Sequence, residues 1–151
     1  MNRFLLLLAT GFGVGYSPVV PGTLGTLVAV PVYLLLCHIP PPLYELTLVA
    51  LFFLSTWLAD RAEGYFGKKD DRRIVIDEIT GFLVTMLWIP ETTLSIVIGF
   101  FLFRIFDIVK PFPIRIVEKK FEGGWGVVLD DILAGIYANV VLQIILSLTA
   151  K

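Results

Sequence analysis

The chain has 151 residues, 57% of them hydrophobic, with a formal net charge of -1 and a mean hydropathy of +0.87. Soluble domains carry roughly 45–50% apolar residues, so an ordinary small soluble domain is excluded, and the near-neutral charge gives no argument for nucleic-acid binding. A single cysteine, Cys37, excludes an internal disulfide, and the length fits one membrane-embedded domain over residues 1–151.

The N-terminus opens as Met1-Asn2-Arg3 followed by leucines, like a signal peptide. Its apolar run dissolves into glycines with no A-x-A cleavage site, so it is expected to be retained. Gly11, Gly13, Gly15, Ser17, Pro18, Pro21, Gly22 and Gly25 break any single spanning helix, and irregular backbone at membrane depth requires protein or a watery cavity around it. Pro21-Gly22-Thr23 is then expected to initiate the first full helix. Gly22, Thr23 and Thr26 at its start are candidate substrate-binding positions, because free N–H groups and hydroxyls there suit a phosphate. Close helix packing through small residues is an alternative that stays open.

Apolar segments follow near 24–39, 43–59, 79–90, 93–106 and 132–150. The third would reach only about 18 Å as a helix, and a helical start before the Asp77-Glu78 pair would lengthen it. Between the segments lie two polar stretches, Asp60 to Glu78 and Arg104 to Asp131, and ten of the twelve basic residues fall between Arg61 and Lys120. The turns at Pro40-Pro41-Pro42 and Pro90-Glu91 carry no Lys or Arg. Positive residues stay inside, so both charged stretches are expected at the cytoplasmic face, with five crossings that end outside at Lys151. Trp57, Trp88 and Trp125 fall near the expected interfaces. The expected fold is all-α, a polytopic membrane helical bundle with a broken Gly/Pro-rich N-terminal segment and cytoplasmic charged loops.

Two acidic pairs stand behind apolar triplets, Ile74-Val75-Ile76-Asp77-Glu78 and Val127-Val128-Leu129-Asp130-Asp131, and Asp107 stands in Phe103-Arg104-Ile105-Phe106-Asp107. Adjacent carboxylates repel and are costly to bury unless a cation or proton offsets them. Cysteine-based phosphate chemistry fails because Leu43, not arginine, lies six residues after Cys37. His38, the only histidine, sits beside an outer proline turn. Neither a phospho-aspartate motif nor a G-x-x-x-x-G-K-[ST] loop is present. Oxygen-only ligands select hard cations, Mg2+ first and Mn2+ as a possible substitute. Arg104 and Lys110 are placed to bind a substrate phosphate. Asp60, Glu63, Asp70 and Asp71 read as a solvated loop, and Lys68, Lys69, Arg72 and Arg73 as contacts to lipid head groups.

With these motifs in order, the chain resembles the phosphatidylglycerophosphatase A family of bacterial membrane lipid phosphatases. The matching strings are Ser17 to Thr26, Ile74 to Gly81, Phe103 to Ile114 and Gly123 to Gly135. The resemblance implies Mg2+-dependent hydrolysis of phosphatidylglycerophosphate to phosphatidylglycerol and phosphate in phospholipid biosynthesis. It also implies a location in the bacterial inner membrane. Its D-E-x-x-G motif falls on Asp77, Glu78 and Gly81, and its D-D-x-x-A-G motif on Asp130, Asp131, Ala134 and Gly135. Asp77, Glu78, Asp107, Asp130 and Asp131 are the expected metal ligands, with Glu78 either a further ligand or the general base, and Asp77, Glu78, Asp107 and Asp131 are expected to carry the catalysis; no required protein partner is evident. A cation transporter is the competing reading, but it would favour acids nearer the bilayer middle. A phosphatidyltransferase would show a D-G-x-x-A-R string, which is absent.

Overall fold

The structure, a computed structural model, describes residues 1–149. The expected outer terminus at Lys151 and the last residue of the 132–150 segment lie outside the described residues. Among the described residues there are seven α-helices, one 3-10 turn and no strand. The N-terminal segment is broken as its glycines and prolines require: α1 (Arg3–Ala9), the 3-10 turn (Val14–Tyr16) and α2 (Pro21–Leu36) follow in short order. Pro21 opens α2 at the first helical position, where its missing N–H costs nothing.

Helix α3 (Pro41–Phe66) runs past residue 59 and takes Asp60 and Glu63 into its last turns, where a polar loop was expected. Long and charged side chains continue a helix readily, and it stops only at Gly67, which takes the left-handed φ of 66°. Helix α4 (Ile76–Thr85) begins before Asp77, as the length argument requires, but it is only ten residues long. At 1.5 Å per residue it covers about half of a hydrocarbon core roughly 30 Å thick. Its early stop has a tertiary cause: the Asn139 side-chain amide donates to the carbonyls of Thr85 and Leu87, both at 2.8 Å. Helix α5 (Thr93–Val109) starts on Thr92, whose hydroxyl accepts the Ser95 N–H at 3.1 Å. The short α6 (Ile114–Lys120) precedes α7 (Gly124–Thr149), which begins eight residues before the apolar segment at 132 and so carries Asp130 and Asp131 within the helix. By length and composition α3 and α7 suffice to cross a membrane, and α2 is a shorter apolar helix.

The packing is built around α4. Phe82 and Leu83 are fully buried against Leu58, Phe103, Ala134, Ala138 and Leu142. Phe82 and Phe103 meet edge to face, with ring centroids 6.4 Å apart. Polar clasps tie α3 to α4: the Ser55 and Thr80 hydroxyls lie 2.6 Å apart, and the Tyr44 hydroxyl donates to the Leu83 carbonyl at 2.8 Å. On the opposite side α4 meets α7 through glycines. A Cβ on Gly81 would lie 2.7 Å from both the Asp131 carbonyl oxygen and a Phe103 ring carbon, and one on Gly135 would run into the Gly81 carbonyl. Only hydrogen lets these helices approach so closely, and the approach fixes the height of Asp131 against the start of α4. Large apolar side chains such as Leu35, Leu46, Phe101 and Leu148 point outward, the arrangement of a bundle solvated by lipid rather than by water.

Candidate active site

The loop before α4 is pinned before the helix begins. The Asp71 carboxylate accepts the Arg73 backbone N–H at 3.1 Å, its Nε at 2.7 Å and its Nη2 at 2.9 Å. These hydrogen bonds hold the Asp71 carboxyl below its usual range. The Arg73 guanidinium in turn lies 3.8 Å over the Phe66 ring, and the Val75 N–H donates to the Ala9 carbonyl at 3.0 Å. Asp71 and Arg73 are therefore positioning residues rather than a solvated surface.

The first turn of α4 carries Asp77 and Glu78, where unpaired N–H groups and the helix dipole favour negative charge. Asp131 reaches the same point from α7, and carboxylate oxygens of Asp77, Glu78 and Asp131 lie within 4.8 Å of one another. Arg104 joins them from α5. Its Nη1 donates to Asp107 Oδ2 at 2.6 Å and, more weakly, to the Thr26 hydroxyl at 3.5 Å. Asp107 in turn neighbours Glu78 and Asp131. Four atoms in this cluster are buried without a hydrogen-bond partner: Asp77 Oδ1, Glu78 Oε2, Asp131 Oδ2 and Arg104 Nε. Buried polar groups are nearly always paired, so four orphans within one cluster of side chains mark a place for something else.

The start of α2 closes the cluster from above. The Thr26 hydroxyl donates back to the Gly22 carbonyl at 3.0 Å, and Thr23 lies half-buried on the same turn. A Cβ on Gly22 would collide with Glu78 Oε1 and sit 3.1 and 3.2 Å from the two Arg104 Nη atoms. Gly22→Ala is therefore expected to cut kcat/KM by about tenfold or more, since small misplacements of reacting groups are costly. Steady-state kinetics of the purified variant check this; unchanged kinetics would show that α2 does not abut the reacting groups.

Asp130 and Lys110 go elsewhere. Neighbouring helical residues point about 100° apart, so Asp130 faces away from the Asp131 cluster. It accepts the Lys110 ammonium through Oδ2 and the Asp131 N–H through Oδ1 at 3.0 Å. Lys110, held at a left-handed φ of 47° at the end of α5, also pairs with Glu118 at 3.0 Å. This ion triad ties α5, α6 and α7 together. Sequence reasoning did not single out Glu118 or Asn139; a polar amide within the apolar α7 run was the available signal for the second. Asp60 is exposed beside Gly123, the Asp70 N–H donates to Glu63, and His38 sits at the far end of α2 beside Cys37 and Glu91.

Three clustered carboxylates and a neighbouring guanidinium can bind a hard cation through oxygen and a phosphate through the guanidinium fork. Fold and site together define an all-helical, membrane-associated protein built around a buried carboxylate–arginine centre. The sequence profile of Phosphatidylglycerophosphatase A matches residues 7–146, and the chain belongs to that family. It is 38% identical over 140 residues to phosphatidylglycerophosphatase A of Escherichia coli (strain K12), covering 92% of this chain and 81% of that protein. It is 39% identical over 138 residues to phosphatidylglycerophosphatase A of Haemophilus influenzae, covering 90% and 85%. A Bacteroides thetaiotaomicron protein with the provisional name phosphatidylinositol-3-phosphatase is 40% identical over 147 residues, covering 92% and 91%. No solved structure matches the chain significantly.

Proposed function

We propose that the protein is a Mg2+-dependent lipid phosphatase that hydrolyses phosphatidylglycerophosphate to phosphatidylglycerol and phosphate. In this reading it works in the bacterial inner membrane with its site facing the cytoplasm. The observation that carries the reading is the clustering of carboxylate oxygens from Asp77, Glu78 and Asp131 within 4.8 Å of one another, with a buried, unpartnered oxygen on each and an unpartnered Arg104 Nε. The donor set fits a hard divalent cation: it is all oxygen, buried and anionic. Asp77, Glu78 and Asp131 would hold Mg2+, with Mn2+ as a substitute. When bound, such an ion neutralises phosphate oxygens and acidifies a water.

The remaining work belongs to the chain. Arg104 Nε and Nη2 donate to non-bridging oxygens of the phosphoryl group, where charge changes during transfer. Asp107 holds the guanidinium in place through Nη1. In this reading Glu78 also takes the proton as a water oxygen bonds to phosphorus, through the oxygen that the cation leaves free. The phosphorus–oxygen bond to glycerol breaks, and the departing oxygen receives the proton that Glu78 accepted. The Asp130–Lys110–Glu118 triad keeps a compensated charge at the edge of the site and fixes the α5–α7 spacing. Lys68, Lys69, Arg72, Lys119 and Lys120 lie in the segments flanking the site end of the bundle, which supports a cytoplasmic orientation.

An assay of purified protein with phosphatidylglycerophosphate, phosphatidylinositol 3-phosphate and phosphatidic acid, each with Mg2+ or excess chelator, tests this. Release of phosphate is expected from phosphatidylglycerophosphate and only with the cation. Preferential release from phosphatidylinositol 3-phosphate would reassign the substrate, and undiminished release in chelator would remove the metal.

A further inference from the structure

We propose that the apolar groove between α2 and α5 seats an acyl chain of the lipid whose phosphate is cleaved, and so selects a membrane-borne substrate over a soluble phosphomonoester. The inference rests on the lipid phosphatase reading above. The groove has a volume of about 260 Å³, with Leu27 and Val30 on one wall and Ile96, Val97, Phe100 and Phe101 on the other. No polar side chain lines it.

Its position gives the occupant. Thr26 and Arg104, which meet at the site, belong to the same two helices. On α2 the groove residues follow Thr26 by one and four positions. On α5 they precede Arg104 by three to eight positions, about 4.5–12 Å along the axis. Helix α2 leaves the site while α5 approaches it, so both walls climb away from the phosphate position in the same direction. The directions toward α7 and α6 are shut or charged. Toward α7 the glycine contact of Gly81 and Gly135 leaves no room, and beside α6 stands the ion triad of Lys110, Glu118 and Asp130. A hydrocarbon chain tethered to a phosphate at Arg104 finds a continuous apolar path along this groove.

The groove is also built to keep its shape while admitting lipid sideways. Phe100 stacks edge to face on Phe101 and on the buried Phe82, with centroids at 5.7 and 6.4 Å. Leu27, Val97 and Phe101 are largely exposed on the outer rim, where a chain enters from the bilayer without leaving it. Each methylene seated there adds apolar burial.

The test compares dioleoyl with dihexanoyl phosphatidylglycerophosphate in the full-length protein carrying Val97→Trp, which fills the groove. The ratio of kcat/KM for the long-chain over the short-chain lipid is expected to fall roughly tenfold, the effect of losing one or two seated methylenes. An unchanged ratio overturns the proposal, including the case in which both activities fall together. A second measurement does not depend on the variant folding. Wild-type protein is photolysed with phosphatidylglycerophosphate carrying a diazirine in one acyl chain, and the labelled residues are mapped. Labelling at groove residues that exceeds the labelling by a phosphatidylcholine with the same chain supports the proposal. Equal labelling by the two lipids identifies ordinary bilayer contact and overturns it. If wild-type protein releases phosphate from neither lipid, the phosphatase reading falls, and the labelling comparison still decides the groove.

Discussion

Asp77→Asn is expected to lower phosphate release by at least about a hundred- to a thousandfold, to leave the protein in the membrane, and to raise its melting temperature in excess chelator. The first effect follows from losing one of three converging carboxylates. The last follows from the same geometry: without a cation, the buried carboxylate oxygens of Asp77, Glu78 and Asp131 repel where water screens them poorly. Removing one charge relieves the other two. In the wild type, Mg2+ should raise the melting temperature as a ligand of the folded state does, and in the variant that rise should shrink or vanish. Thermal melts with Mg2+ and with chelator, run beside the activity assay, check all three parts. A variant that melts lower than wild type in chelator would mean that the carboxylates are not held against each other.

Arg104→Lys should cost about a hundredfold in kcat/KM, although the charge is kept. A lysine offers one compact ammonium, and it cannot both hold Asp107 at Nη1 and present Nε and Nη2 as a planar pair to a phosphoryl group. Asp107→Asn should cost less, about tenfold, because Asp107 acts by orienting the guanidinium, which the Thr26 hydroxyl also touches. Steady-state kinetics on both variants give the comparison. Arg104→Lys with wild-type kcat/KM would show that the fork is not used, and a larger loss for Asp107→Asn would move Asp107 from an orienting to a reacting role.

The elements of the site were legible because they are physically expensive. Two carboxylate pairs behind apolar triplets announce themselves in any membrane chain, and the glycines and prolines before residue 26 forbid one straight helix. The partition within the pairs was less visible. Asp130 and Asp131 read as one motif, yet helical geometry turns them apart, one to Lys110 and one to the centre. That much the period of a helix could have indicated; that Lys110 is the partner could not be read, because Glu118 and the left-handed turn at residue 110 make the pairing. The end of α4 was not legible at all. The apolar run continues beyond Thr85 to residue 90, and what stops the helix is an amide 54 residues away in sequence. The run of α3 through Asp60 and Glu63 was missed for the opposite reason: charge suggested a loop where nothing breaks the backbone before Gly67.

The shortness of α4 sets how the protein meets membranes of different thickness. A spanning helix must match the hydrocarbon width, and it tilts or deforms the bilayer when it does not. Helix α4 makes no such match, because both of its ends are held inside the protein, by the pinned loop before Ile76 and by Asn139 after Thr85. The long helices α3 and α7 can adjust their tilt to a thicker or thinner bilayer. The glycine seam at Gly81 and Gly135 carries Asp131 along with Asp77 and Glu78 as they do. The centre thus keeps its internal dimensions when the lipid around it changes, a useful property in a protein whose surroundings are made of its own substrate class.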